Sequence, residues 1–267
     1  MAAGRNSGPR VPLNRALSKL GILSRSQATV AILAGRVTVG GRVVRDPAHL
    51  VAVDRDRFVV DSQSREPTAW RTILLYKPRG VVTTRRDPEG RRTVYDVVTG
   101  IEPGLLTALN AVGRLDLATS GLLLLTTDTH LANWITDPEH DVLRVYIVTV
   151  RGEVSDEELE RLRDGVDSRG ERLRTEAVTC RKRSRRESHL TLELTEGRNR
   201  EVRRLFGAIG HEVTRLKRVR LGPFELGSLE PGCWRDVSRD EIRAAFPLAS
   251  INASAGRPAF SPRPDGH

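Results

Sequence analysis

The sequence predicts an α+β protein of two domains, and three features of its 267 residues carry that prediction. Residues 11–60 hold two short amphipathic helices and then a small hairpin. Residues 61–70, Asp61 to Trp70, are polar and contain a proline, so they read as a linker. From 71 to 246, β-rich segments are interspersed with short helices, and one segment, Leu122 to Leu125, is apolar at every position. Bounded by Thr119-Ser120-Gly121 and Thr126-Thr127-Asp128, so short a run reads as a strand buried on both faces.

Residues 1–10 lack periodic apolar positions and are expected to form a disordered basic lead. Leu13, Ala16, Leu17 and Leu20 recur at helical spacing, and Gly21 ends that helix. Ser24 with Gln27 forms a capping box for a second helix, which turns Ala28, Ala31 and Ile32 inward and stops at Gly35. Val37–Val39, Gly40-Gly41 and Val43-Val44 then read as two strands joined by a two-residue turn. Arg15, Lys19, Arg25, Arg36, Arg42 and Arg45 are spread over these elements, either as a solvated face or as contacts to a polyanion.

Beyond the linker, Ile73 to Tyr76 starts a strand, and Arg85 to Arg92 form a basic loop. Thr93 to Val98 packs as a short helix or extended turn. Leu131 to Ile135 opens a helix that Asp137-Pro138 stops. Val145 to Arg151 is a strand, and Ser155-Asp156-Glu157-Glu158 caps a helix through about Arg163, ended by Gly165. Ala177 to Cys180 and His189 to Leu194 flank a basic hairpin tip, Arg181 to Arg186. Val202, Leu205, Phe206 and Ile209 share one helix face, and Val213 to Gly222 is a strand. Ser238 to Glu241 caps a last helix to about Phe246, and residues 247–267, rich in Pro, Ser, Ala and Gly, read as a disordered tail.

Hydrophobic residues make up 38% of the chain, enough for a core, and the formal net charge of +10 points to a polyanionic partner such as nucleic acid. Cys180 and Cys233 stand far apart, suggesting neither a disulfide framework nor a zinc knuckle. His211-Glu212-Val213-Thr214-Arg215 begins like a zinc-protease helix but lacks the second His, so no metal site is expected. No Gly-Lys-Ser/Thr phosphate loop occurs, which argues against an NTPase. No apolar signal segment or bilayer-length run is found, and a cytoplasmic protein without membrane contact is expected.

Asp116 follows Gly113-Arg114-Leu115 and precedes Leu117-Ala118-Thr119-Ser120-Gly121. From spacing alone it is either a turn residue or a nucleophile held by an anchored loop. The string Gly-Arg-Leu-Asp-x-x-Thr-Ser-Gly-Leu-Leu-Leu-Leu-Thr, residues 113–126, resembles the signature of the bacterial ribosomal pseudouridine synthases that act on small- or large-subunit rRNA. Lys77-Pro78-Arg79-Gly80 is similar to the motif that opens their catalytic domain. Arg144-Val145-Tyr146 is similar to their Lys-x-Tyr strand, with Arg in place of Lys. Gly197-Arg198-Asn199-Arg200-Glu201-Val202-Arg203 resembles their Gly-Arg-x-x-x-[Val/Ile]-Arg helix, and Leu216-Lys217-Arg218-Val219-Arg220-Leu221-Gly222 a later strand. The two helices and hairpin of residues 11–60 resemble the S4-type RNA-binding domain that many of these enzymes carry.

The resemblance implies a mixed, largely antiparallel sheet in the catalytic domain and assigns roles residue by residue. Asp116 is the expected nucleophile, Tyr146 the residue that stacks on the target base and accepts the proton leaving C5, and Arg203 the partner of Asp116. Burial disfavours a charged carboxylate, and a facing guanidinium restores the charged form. An aliphatic side chain, Leu216 or Leu221, walls the uracil pocket, and both remain open. Arg114, Arg200, Arg204, Arg15, Lys19, Arg25 and Arg36 are expected to bind the substrate RNA. Attack at C1′ of the ribose and at C6 of the base are both open. The resemblance implies an isomerase that needs no cofactor, working as a monomer on rRNA or an assembling ribosomal subunit. The Arg-Asn-Arg-Glu-Val-Arg-Arg string and the Asp87-Pro88-Glu89-Gly90 loop favour large-subunit rRNA over small-subunit rRNA. A non-catalytic RNA-binding assembly factor is the rival reading.

Overall fold

The computed structural model describes residues 10–249 apart from 21, 24, 54, 55 and 61–68, and apart from the side chain of residue 19. The expected lead over residues 1–9, the Gly21 stop, the Ser24 cap, most of the linker and nearly all of the tail lie outside the described residues. The chain divides into two compact units, Met1–Trp70 with Asp128–His130 and Ser250–His267, and Arg71–Thr127 with Leu131–Ala249.

In the first unit, β1 (Arg10–Pro12) leads into α1 (Leu13–Lys19) and α2 (Arg25–Leu33), followed by β2 (Val37–Val39), β3 (Arg42–Val43), β4 (Leu50–Ala52) and β5 (Phe58–Val60). Leu13, Ala16, Leu17, Ala28, Ala31 and Ile32 face inward at their helical spacing and pack with Val37 and Val51 into a small core. Gly40 and Gly41 both have positive φ, 55° and 83°, which the two-residue turn between β2 and β3 requires. Two short sheets, β1-β4 and β3-β2-β5, complete the unit. Arg10, expected in the disordered lead, pairs instead with Ala52 across β1 and β4. A three-residue strand has too little periodicity to stand out from flanking polar chain.

The second unit is built on one mixed sheet. Its elements are β6 (Thr72–Lys77), α3 (Val94–Val97), α4 (Pro103–Ala108), β7 (Asn110–Ala111), β8 (Ser120–Thr126), α5 (Thr129–Thr136), β9 (Arg144–Arg151), α6 (Asp156–Asp164), β10 (Val166–Ser168) and β11 (Glu171–Leu173). They continue through β12 (Ala177–Arg183), β13 (Glu187–Leu194), α7 (Glu201–Ala208), β14 (Val213–Leu221), β15 (Phe224–Glu225), β16 (Trp234–Val237) and α8 (Arg239–Ala245). The strand order is β12-β13-β9-β14-β8-β6-β16. β8 and β14 run parallel, and every other neighbouring pair in that order is antiparallel.

β8 is a central strand, which accounts for its leucines. Leu122 to Leu125 are fully buried between β6 and β14. Capping boxes start α3 at Thr93, α6 at Ser155 and α8 at Ser238. The basic hairpin differs from expectation in that β12 and β13 run on to Arg183 and back from Glu187. Only residues 184–186 therefore remain in the turn, and Arg183 is tied to Asp156 at 2.5 Å. Arg181, Lys182, Arg185 and Arg186 stay exposed.

Candidate active site

The loop between β7 and β8 holds Asp116, and the structure fixes its backbone at several points. Thr119 N donates to Asp116 O at 2.9 Å and Gly80 N to Leu117 O at 2.8 Å. Thr83 Oγ1 donates to Leu115 O at 2.8 Å. Lys77, at the end of β6, is fully buried beneath the loop. Its ammonium donates to the carbonyl oxygens of Pro78 and Asp116, each at 3.1 Å, and of Thr119 at 2.7 Å. Burial pushes the Lys77 pKa down to about 8, against the opposing pull of the Asp116 carboxylate. Lys77 stands in the Lys-Pro-x-Gly string, whose pattern alone does not mark it as buried.

The parallel seam builds the adjoining wall. Gly121, at φ +112°, lets β14 come so close that a Cβ there would lie 2.1 Å from Arg218 O. Arg218, only 3% exposed, donates through Nε to Leu122 O at 2.8 Å, and its Nη2 is enclosed without a partner. Tyr146 sits directly opposite Arg218 in the β9–β14 register, so their side chains leave the sheet on the same face. Arg144 is buried near them and donates to Val142 O at 2.7 Å, to Ile135 O at 3.2 Å and to Thr195 O. Burial lowers the Arg144 pKa most; the nearby Arg218 charge lowers it too, while Tyr146 and Glu201 raise it.

The start of α7 forms a third side. Arg200 is its N-cap and has a left-handed backbone, φ +50°, which is uncommon for a residue other than glycine. Its Nη1 lies 3.9 Å from Asp116 Oδ2, with the two side chains 54% and 36% exposed. Arg203 was expected to make that pair. Its Nη1 instead donates to Val213 O at the start of β14, at 2.8 Å, and its Nε is enclosed without a partner. Burial lowers the Arg203 pKa, Arg200 and Arg79 lower it further, and the Asp116 charge raises it, so Arg203 lies within the electrostatic reach of that carboxylate. Glu201 is buried and its pKa is raised, chiefly by that burial.

These walls enclose a cavity of about 300 Å³. Arg114, Asp116, Tyr146, Arg200, Arg203, Leu216 and Leu221 all line it, together with Arg144, Arg218 and Thr119. Both leucines proposed for the uracil wall are thus present, Leu216 at 7% and Leu221 at 1% exposure. Arg204 does not join them. Its side chain is 11% exposed and is held by Ser168 O and Glu171 Oε2, both at 2.6 Å, on the β10–β11 hairpin. That hairpin was not anticipated, and it takes up the cation expected to face RNA.

In the first unit, Arg15 and Arg25 are exposed and Arg36 half-buried, and none makes an ion pair among the described residues. Nothing is described of the Lys19 side chain. Among the described residues no cluster of His, Cys, Asp or Glu could hold a metal ion, and no helix is long and apolar enough to cross a membrane.

Residues 71–208 match the family described as RNA pseudouridylate synthase, and residues 11–55 match the S4 domain. An uncharacterized RNA pseudouridine synthase of Aquifex aeolicus is 36% identical over 242 residues, 90% of this chain and 96% of that protein. The ribosomal large subunit pseudouridine synthase B of Bacillus subtilis is 34% identical over 247 residues, 91% of this chain and 98% of the relative. Its Vibrio cholerae counterpart is 38% identical over 246 residues, 90% of this chain and 75% of the relative. A crystal structure of a pseudouridylate synthase superposes with a TM-score of 0.62 at 29% identity, covering 87% of this chain and 98% of the other.

Proposed function

The chain belongs to the RNA pseudouridylate synthase family, a family of isomerases, and we propose that it converts a uridine of large-subunit ribosomal RNA to pseudouridine with Asp116 as nucleophile. The observation that carries this reading is the Asp116 loop, pinned from below by Lys77 and opening onto a cavity shared with Tyr146, Arg200 and Arg203. The names of the Bacillus subtilis and Vibrio cholerae relatives support the large subunit as the target.

The base leaves its stack, which costs a few kcal/mol, and RNA contacts made elsewhere offset that cost. Asp116 attacks C1′ or C6. The C1′–N1 bond breaks, the base turns against Tyr146, and C5 bonds to C1′; the Asp116 carboxylate is released from C1′ as that bond forms, or from C6 as the C5=C6 bond is restored, and the C5 proton is lost to Tyr146. Arg200 lies 3.9 Å from the nucleophile's Oδ2, and Arg203 feels the charge of the same carboxylate. The exposed arginines of the S4 domain and of the β12–β13 hairpin bind phosphates, and the protein works as a cytoplasmic monomer on rRNA or an assembling subunit.

The test is to map pseudouridine in both rRNAs by chemical adduct and primer extension, with and without the gene, and to restore Asp116→Asn. One large-subunit site is expected to vanish on deletion and to return with the wild type alone. Restoration by Asp116→Asn removes the nucleophile assignment, a lost small-subunit site moves the target, and unchanged maps favour a non-catalytic assembly factor.

A further inference from the structure

Three enclosed side-chain polar atoms without a hydrogen-bond partner, Thr119 Oγ1, Arg203 Nε and Arg218 Nη2, belong to residues that line this one cavity. A buried donor left unpaired costs about 1–3 kcal/mol, so a cluster of them around one cavity is best explained by a ligand that brings acceptors. Arg203 and Thr119 belong to the neighbourhood of the nucleophile. Arg218 does not: it rises from the sheet beside Tyr146, on the far strand of the parallel seam.

The charge around Arg218 is unbalanced as well. Arg144 lies close enough for the two guanidiniums to repel. The nearby carboxylate, Glu201, is itself pushed toward its neutral form by burial. Arg144 uses its donors on three backbone carbonyls and is fixed, whereas Arg218 keeps Nη2 unused. The cavity wall thus carries fixed positive charge facing the place where a flipped base would sit, and such preorganised donors act most strongly on charge that develops during reaction.

We infer that Arg218 is a catalytic residue that donates to a carbonyl oxygen of the uracil ring and stabilises the negative charge the ring acquires when its bond to ribose breaks. This rests on the proposed isomerisation. When the C1′–N1 bond breaks, its electron pair passes to the ring and spreads over N1, O2 and O4. Addition of a carboxylate at C6 also places charge on O4, so both routes need the same donor. The pair returns to carbon when C5 bonds to C1′, the Asp116 carboxylate leaves C1′ (or C6, as the C5=C6 bond is restored), and the C5 proton leaves. No oxidant, metal or second substrate enters the balance. A uracil carbonyl also suits a group that can only donate, whereas the C4 amine of cytosine does not.

The experiment compares loss of the N-glycoside under single turnover in RNA carrying uridine or 5-fluorouridine at the target, for wild type, Arg218→Met and Arg218→Lys. Fluorine at C5 withdraws charge and stabilises the ring anion by itself. With uridine, Arg218→Met is expected to be slower by about 10²–10³-fold, with RNA affinity within about threefold of wild type. With 5-fluorouridine the defect shrinks by about tenfold or more, and Arg218→Lys falls between Met and Arg. A defect of equal size on both substrates, or none, overturns the role and leaves Arg218 as a support for Leu122. Should the Met variant not fold, the same ratio measured on Arg218→Lys decides. If wild type leaves uridine untouched, the proposed function has failed; if it turns over and the ratio stays flat, only this inference has.

Discussion

Two sets of cations, one in each unit, are held in opposite ways. Arg15 and Arg25 stand on a small helical core, exposed and without acidic partners among the described residues. Lys77, Arg144 and Arg218 are buried in the sheet unit and bonded to backbone carbonyls. Exposed cations gain from neutralising phosphates at any position along RNA, so their effect is screened by salt and nearly independent of geometry. Buried cations cannot be reached by bulk ions, and their value lies in where they hold the chain or point a donor. On the proposed function, one kind supplies affinity and the other supplies the shape of the reaction site.

The sharpest way to break this contrast is at the seam. Gly121→Ala places a Cβ against Arg218 O and forces an L side chain into a positive-φ backbone. A loss of about 3 kcal/mol or more in denaturant unfolding is expected, with collapse of turnover. A melt within about 0.5 kcal/mol of wild type would mean that β8 and β14 are not packed this tightly.

Next in size is the titration of Lys77. The folded group releases its proton at about 8, while the unfolded one holds it to about 10.5. Between those values the unfolded chain binds more protons, so the group's contribution to stability rises with pH by up to about 3 kcal/mol. The unfolding free energy of wild type minus that of Lys77→Met should therefore climb from pH 8 to 10.5 and stay level below pH 7. A flat difference would leave Lys77 ordinary.

A smaller effect is expected in the other unit. Arg15→Ala with Arg25→Ala should lower the slope of log affinity against log salt by about 2 and leave turnover at saturating RNA unchanged. Loss of turnover at saturation would give those arginines a geometric role and erase the distinction. The smallest change is expected for Arg204→Ala. Its ion pair to Glu171 and bond to Ser168 O are worth about 1 kcal/mol of stability, and the salt slope of RNA binding should not move.

Much of this arrangement was legible in the chain. Apolar spacing marks α1, α2 and α7, and the four leucines mark β8, because burial on one face or two leaves a local pattern. β4 and β5 are three residues each and pair with distant segments, so nothing local announces them; β10 and β11 pair with each other, but at three residues each, with Asp167 and Arg172 among them, they show no apolar alternation. Arg204 was read as substrate-facing because the hairpin that captures it was not foreseen. Likewise the ion pair to Asp116 is made by Arg200, since the left-handed turn at the start of α7 is not written in residue type. Lys77, Arg144 and Arg218 stand inside recognisable strings, but burial of a charge is a tertiary fact. For Lys77 and Arg144 a cation in a largely apolar strand was the available clue, whereas β14 carries four cations and nothing local singles out Arg218.

The parallel seam also sets when the site comes into being. Asp116 precedes β8, while Arg200, Arg203 and Arg218 arrive only with α7 and β14, so the pairing that joins them closes a long loop. Such closures are slow relative to helix or hairpin formation. During synthesis the ribosome has to deliver the chain through residue 221 before the lining of the Asp116 cavity is complete. With Asp116 as the proposed nucleophile, the fold keeps that carboxylate from cellular RNA until the polypeptide that disciplines it is in place.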